Sequence, residues 1–206
     1  MLKQVEQNET ARIEAFSDGV FAIAITLLVL EIKQPEAREG LLPGLLHEWP
    51  AYWGFVVSFL TILIMWINHH RMFRMIHKGD DWLLFCNGLL LMAVTFVPFP
   101  TGVLAAHLTD KDPRAAALFY SGTFVVIAIF YNVLWWCVSH QRRLIGREIS
   151  QHQVAALTKQ YMVGPVAYLL ATLLAFVHVN LCIATNMLMA LFFAIPSDAF
   201  KRSRAA

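Results

Sequence analysis

The chain has 206 residues, of which 58% are hydrophobic and 15% charged, with 16 Lys+Arg against 14 Asp+Glu and a formal net charge of +2. A soluble domain averages about 45–50% apolar and about 25% charged residues, so this composition excludes an ordinary soluble fold, and it excludes disorder as well. The small net charge speaks against a nucleic-acid partner, and the placement of the charges carries more information than their sum.

A bilayer core about 30 Å thick needs about 20 apolar residues in a helix. Six runs meet that length: residues 13–32, 51–68, 82–104, 115–138, 161–177 and 179–195. The sequence therefore predicts an all-α integral membrane protein, with residues 1–206 forming one domain of six transmembrane helices. The first run follows a polar stretch, carries Asp18 and lacks a small-residue cleavage site, so it reads as a retained helix and not as a cleaved signal. The second run ends in Trp66-Ile67-Asn68-His69-His70-Arg71. Pro98 and Pro100 break the end of the third, and Pro165 falls in the first turns of the fifth, where a missing N–H is least costly. His178 alone separates the fifth run from the sixth, which predicts a tight antiparallel hairpin. Trp49, Trp53, Trp66, Trp82, Trp135 and Trp136 lie near run ends, where indoles anchor at headgroups. Cys86, Cys137 and Cys182 sit far apart inside apolar runs and read as buried thiols.

The basic residues orient the helices. Lys3, Arg12, Arg71, Arg74, Lys78, Arg142, Arg143, Arg147, Lys159, Lys201, Arg202 and Arg204 fall on one side, against Lys33, Arg38, Lys111 and Arg114 on the other. The richer side faces the cytoplasm, so both termini are expected there.

Ionisable residues inside a membrane helix are costly and are functional candidates by default. Asp18 lies one to two turns inside the cytoplasmic end of the first run, too short to reach water as Arg12 could. At about 100° per residue, Phe16, Ile23, Leu27 and Leu30 share one stripe, Thr26 lies beside it, and Asp18 lies about 140° from Ile23. Ser17 and Asp18 must then be buried in protein, because lipid cannot satisfy a carboxylate. Gly19, Ala22 and Thr26 allow close helix approach. Asn68, His69 and His70 end the second run at the same depth and offer the aspartate partners. His69 and His70 point about 100° apart on a helix and cannot both close on one metal ion, so no metal site or cofactor is expected. There is no nucleophile elbow, zinc-protease motif or phosphate loop, so the chain does not read as an enzyme. The potassium-filter sequence TVGYG is missing too.

Arg12-x-x-x-Phe16-Ser17-Asp18, with the run that follows to Ile32, resembles the RxxxFSD motif of the transmembrane-protein-175 potassium channels. Trp66-x-x-His69-His70-Arg71-x-Phe73 is similar to the family pattern at the end of the second helix. One six-helix unit resembles the prokaryotic form, in the plasma membrane. The resemblance implies a homotetramer in the lipid bilayer, with potassium as the permeant ion and a pore lined by the first helix. It implies constriction layers at Ile23, Leu27 and Leu30 with Thr26 nearby, and a hydrogen-bond network of Arg12, Ser17 and Asp18 with Trp66 and His69. Glu31, Glu36 and Glu39 would draw cations to the outer mouth. A different class of reading remains open: a small proton-coupled carrier in which Asp18 titrates.

Overall fold

The computed structural model describes residues 2–35, 40–140, 144–146 and 149–194, with side chains from residue 10 onward. Arg38, Arg142, Arg143, Arg147, Lys201, Arg202, Arg204, Glu36 and Glu39 lie outside the described residues, as does Ile195 at the end of the sixth run. The described residues form eight α-helices: α1 (Leu2–Leu27), α2 (Leu41–His47), α3 (Trp49–Phe73), α4 (Asp81–Thr95), α5 (Pro98–His107), α6 (Arg114–Ser139), α7 (Gln151–Leu173) and α8 (Val179–Ala194). Among them there is no strand, only one isolated antiparallel bridge between Ile76 and Ile145. Four spans are long and apolar enough to cross a membrane: Thr10–Glu31, Trp49–Phe73, Asp81–His107 and Arg114–Ser139.

Local chemistry explains where the helices depart from the runs. Proline has no N–H and clashes with the preceding turn. Phe96 and Val97 accordingly donate to carbonyls only three residues back, and Pro98 opens α5 in the N1/N2 position that suits it. The third run is thus two helices in line, α4 and α5. The fifth run begins ten residues earlier than expected, at Gln151. Ser150 accepts from the Gln153 N–H at 3.2 Å while the Gln153 side chain accepts from the Ser150 N–H at 2.9 Å, a capping box that nucleates α7. Pro165 therefore sits inside the helix and not in its first turns. It cannot donate to the Tyr161 carbonyl. Asn132 Nδ2 on α6 donates to that carbonyl at 2.8 Å instead, so the freed acceptor is satisfied from the neighbouring helix. α7 ends in a 3₁₀ turn at Leu174–Phe176, and Val179 opens α8 directly after it.

Polar groups stitch the bundle where lipid offers them nothing. Tyr120 donates to Ser58, Ser58 to Thr101 and Thr101 to the Val97 carbonyl, joining α3, α5 and α6. Asn186 donates to Ser121, which bonds Thr172, joining α6, α7 and α8. Tyr131 donates to the Met65 carbonyl at 2.6 Å and Trp135 to Thr158 at 2.8 Å. Trp135 and Trp66 thus turn inward, whereas Trp49, Trp53, Trp82 and Trp136 stay exposed. The three cysteines are buried and none is in a disulfide.

Four segments meet at one end of the bundle. The first half of α1 touches the end of α3. The chain after α3 pairs with the chain after α6, through His77 N–H to Leu144 and Gly146 N–H to Met75. Arg71 donates to the Ala194 carbonyl at the end of α8 at 3.1 Å. The N-terminal helix, the α3–α4 link, the α6–α7 link and the end of α8 therefore share one end of the molecule.

Candidate functional site

α1 is the least covered of the four long spans: 28% of its apolar window is buried, against 44–50% for the others. Its inner face is Ile13, Ser17, Phe21, Ala24 and Leu28, all buried. Its outer face carries Phe16, Ile23, Leu27 and Leu30, exposed by 67%, 57%, 38% and 72%, with Gly19, Ala22 and Thr26 beside them. The Thr26 hydroxyl donates to the Ile23 carbonyl at 2.8 Å, so it serves its own backbone and leaves a methyl and an oxygen lone pair outward. From Leu28 to Glu31 the helix tightens to 3₁₀, in which side chains three apart eclipse. Leu30 consequently stands over Leu27.

The other face of α1 is rooted in polar contacts. Trp66 Nε1 donates to Asp18 Oδ1 at 2.8 Å. The Ser17 hydroxyl donates to the Ile13 carbonyl at 2.8 Å, so its oxygen accepts from Asn87 Nδ2 at 2.9 Å. Asn87 Oδ1 in turn accepts from His69 Nε2 at 2.9 Å, which fixes the imidazole as the Nε2–H form. His69 is fully buried, stacked on Phe73 with ring centres 4.3 Å apart and tilted against Phe21. His70 Nδ1 meets Glu14 Oε1 at 2.6 Å, and its ring stacks on Trp66. α1, α3 and α4 are thereby pinned together at one depth by partners that lipid could not supply, and His69 Nδ1 alone in the cluster stays buried without a hydrogen bond.

The structure brings Ser17 and His69 together through Asn87, and Asp18 together with Trp66. His70 joins them by way of Glu14, and Asn68 is met by Arg71 at 3.4 Å instead of by the aspartate. The two histidines turn to separate partners and do not converge. Arg12 is exposed and, with Phe16, lines an open groove of about 520 Å³ that also holds Asp80 and Asp81. Sequence reasoning missed Asn87 and Glu14. Asn87 stood alone in the apolar run 82–104, and that isolation was the signal, since a lone amide in a membrane helix needs a partner. Glu14 lies four residues before Asp18, one helical turn away.

Residues 12–98 match the family described as endosomal/lysosomal potassium channel TMEM175. A potassium channel of Chamaesiphon minutus is 49% identical over 203 residues, covering 97% of this chain and 100% of that one. A potassium channel of Streptomyces collinus is 43% identical over 189 residues, covering 90% and 92%. Among solved structures, the crystal structure of a lysosomal potassium-selective channel TMEM175 homolog from Chamaesiphon minutus superposes with a TM-score of 0.83 at 49% identity, covering 91% of this chain and 97% of that one.

Proposed function

Because the chain belongs to the TMEM175 potassium channel family, we propose that it is a potassium-permeable channel, a homotetramer whose ion path is lined by α1. The observation that carries this reading is the two-faced character of α1. A helix rooted by Ser17, Asp18 and their partners on one side leaves Ile23, Leu27 and Leu30 bare on the other. Four copies around an axis would set these side chains in apolar rings. Such rings gate by dewetting and pore size, and they cannot replace an ion's hydration shell. Potassium is the permeant species and needs no resident cofactor, and the chain acts as no enzyme.

Six crossings with both termini cytoplasmic, in a prokaryotic plasma membrane, fit the bundle. The four segments that meet at one end are the ones that carry most of the basic residues, the side that faces the cytoplasm. α8 has 16 residues, about 24 Å at 1.5 Å per residue, short for a core of about 30 Å. It packs antiparallel on α7, whose Lys159, Gln160 and Pro165 lower its hydropathy. The two are read as a crossing hairpin. A carrier built on Asp18 is disfavoured by the Trp66 indole that occupies its Oδ1.

Purified protein in planar bilayers under potassium and sodium gradients tests the reading. Ile23→Asn should wet the narrowest layer, raising conductance or weakening the preference for potassium. Unchanged currents and permeability ratios in Ile23, Leu27 and Leu30 variants alike would overturn a pore lined by α1.

A further inference from the structure

α3, α6, α7 and α8 do not close completely where they meet. Ala128 of α6, Gly164 of α7 and Ala190 of α8 line the gap, and residues this small leave a chamber of about 50 Å³. A Cβ at Gly164 would sit 3.4 Å from Phe193 Cζ and 3.7 Å from Ala128 Cβ, in ordinary contact. Aromatic rings close the two ends. Tyr161 stacks on Tyr131 at one end, and Tyr168 stacks on Phe124 and Phe193 at the other. Asn68 and Asn132 form the rim, being the two lining residues that are not buried.

Most of the polar groups on the wall are already spent on backbone carbonyls. Thr61 donates to Val57, Tyr131 to Met65, and Asn132 Nδ2 to Ala128 and Tyr161. The Tyr168 hydroxyl meets no acceptor among the described residues, although the residue is only 6% exposed. A helical side chain leans back toward the helix N-terminus. Tyr168 therefore reaches over Gly164, four residues earlier, and aims its O–H into the chamber. A buried hydroxyl without a partner is costly. Water alone suits the space poorly, because each buried water needs 2–4 polar partners and the walls are mainly aromatic and aliphatic. The chamber matches a molecule that brings one oxygen to Tyr168 and a short apolar body to the walls. A cavity of about 150 Å³ accepts benzene, so this smaller one has room for about three non-hydrogen atoms.

We propose that the chamber is a binding site for a small neutral molecule with one oxygen and a two- or three-carbon body, a short-chain alcohol or ketone, anchored on the Tyr168 hydroxyl. α1 contributes nothing to its wall, so the proposal is independent of which helix lines the ion path. Met65 and Asn68 line the chamber on either side of Trp66 in sequence, and the bound molecule thus touches the helix that roots α1.

The test is a titration of full-length protein with ethanol, read by ¹⁹F resonances of 3-fluorotyrosine placed at the chain's five tyrosines and assigned by single Tyr→Phe substitutions. The Tyr168 resonance should shift saturably, with a midpoint on the order of 10 mM, as befits a ligand of so few atoms. The resonance of Tyr52, exposed at the other end of α3, should drift only in proportion to the alcohol added. Gly164→Ala puts a methyl group into the chamber at a position where alanine is also the better helix former, and it should raise the midpoint about tenfold or more. Tyr168→Phe fills nothing and removes only the hydroxyl. Read through Tyr161, it should raise the midpoint about fivefold, the weight of one hydrogen bond. A Tyr168 signal that drifts in proportion as Tyr52 does would mean a chamber that holds water only, and would overturn the proposal. A saturable shift with the same midpoint in Gly164→Ala places the alcohol elsewhere and overturns it too. An unchanged midpoint in Tyr168→Phe overturns the anchor, whatever Gly164→Ala does.

Discussion

Asn87→Leu perturbs the polar root of α1 at its most central member. Asn87 is 3% exposed and bonds both Ser17 and His69 at 2.9 Å. Leucine keeps the branched shape of asparagine, in a larger volume, and carries no polar atom. Ser17 loses little, since its hydroxyl keeps the Ile13 carbonyl. His69 loses more. It is fully buried, its Nδ1 already lacks a hydrogen-bond partner, and the substitution orphans the Nε2–H as well. Hydrogen bonds between membrane helices average only about 0.6 kcal/mol, with a maximum near about 1.7, whereas an orphaned buried donor costs about 1–3 kcal/mol. The orphan decides the magnitude, and we expect a loss of about 2 kcal/mol. For a chain of about 150–250 residues, 1 kcal/mol moves the thermal midpoint by about 2–4 °C, so the midpoint in detergent should fall by about 4–8 °C when folded protein is followed by gel filtration after heating. Asn87→Leu combined with His69→Phe leaves no donor orphaned and should recover most of that fall. A parental midpoint for Asn87→Leu, or a double variant no better than the single, would refute the reasoning.

Asp18→Asn keeps an acceptor for the Trp66 indole, and Asp18→Ala leaves that N–H without one. Both should lower the yield of assembled protein, alanine more, with ion selectivity little changed. A stable Asp18→Asn channel with altered selectivity would mean that Asp18 faces the ion path. Asn132→Leu should destabilise the parent by about 1 kcal/mol, the cost of an unpaired buried carbonyl, and do so less in a Pro165→Ala background, where residue 165 regains an N–H for Tyr161; equal losses in the two thermal unfolding series would contradict the assigned exchange. Externally applied maleimide should label a cysteine at Asp110 and spare one at Arg143, and the reverse pattern would invert the orientation.

The long apolar spans and the two-faced α1 were readable because each follows from a local rule, span length or helical period, that needs no tertiary partner. Ser17 and Asp18 were readable as facing protein because a carboxylate among apolar residues has no bland alternative, although Ser17 alone is fully buried and Asp18 is half-buried. Which group meets which was not readable. Asn87 lies 70 residues from Ser17 and bonds it across two helices, a pairing that no spacing encodes. Depth alone matches Asp18 to the amide and imidazoles after Trp66, and only the family resemblance places Trp66 in its network; the rotation of α3 turns the indole toward Asp18 and His69 toward Asn87. The start of α7 was missed for a different reason. The Ser150–Gln153 capping signal lies outside the apolar run, so a search by hydropathy began the helix at Tyr161 and gave Pro165 the wrong place. The break at Phe96 and Val97 was misread in degree, since prolines that end one helix also suit the first turn of the next.

During synthesis, the bridge between Ile76 and Ile145 cannot close until about 70 further residues have left the ribosome. At about 5–20 residues per second this takes about 3–14 s, and through that interval Met75 and Ile76 wait without the Leu144 and Ile145 surface that finally covers them. The link after α3 is therefore open to quality-control proteases in the newborn chain, for a time set by translation speed. Ile145→Asp, which removes the late-arriving cover, would stretch that exposure from seconds to the lifetime of the polypeptide.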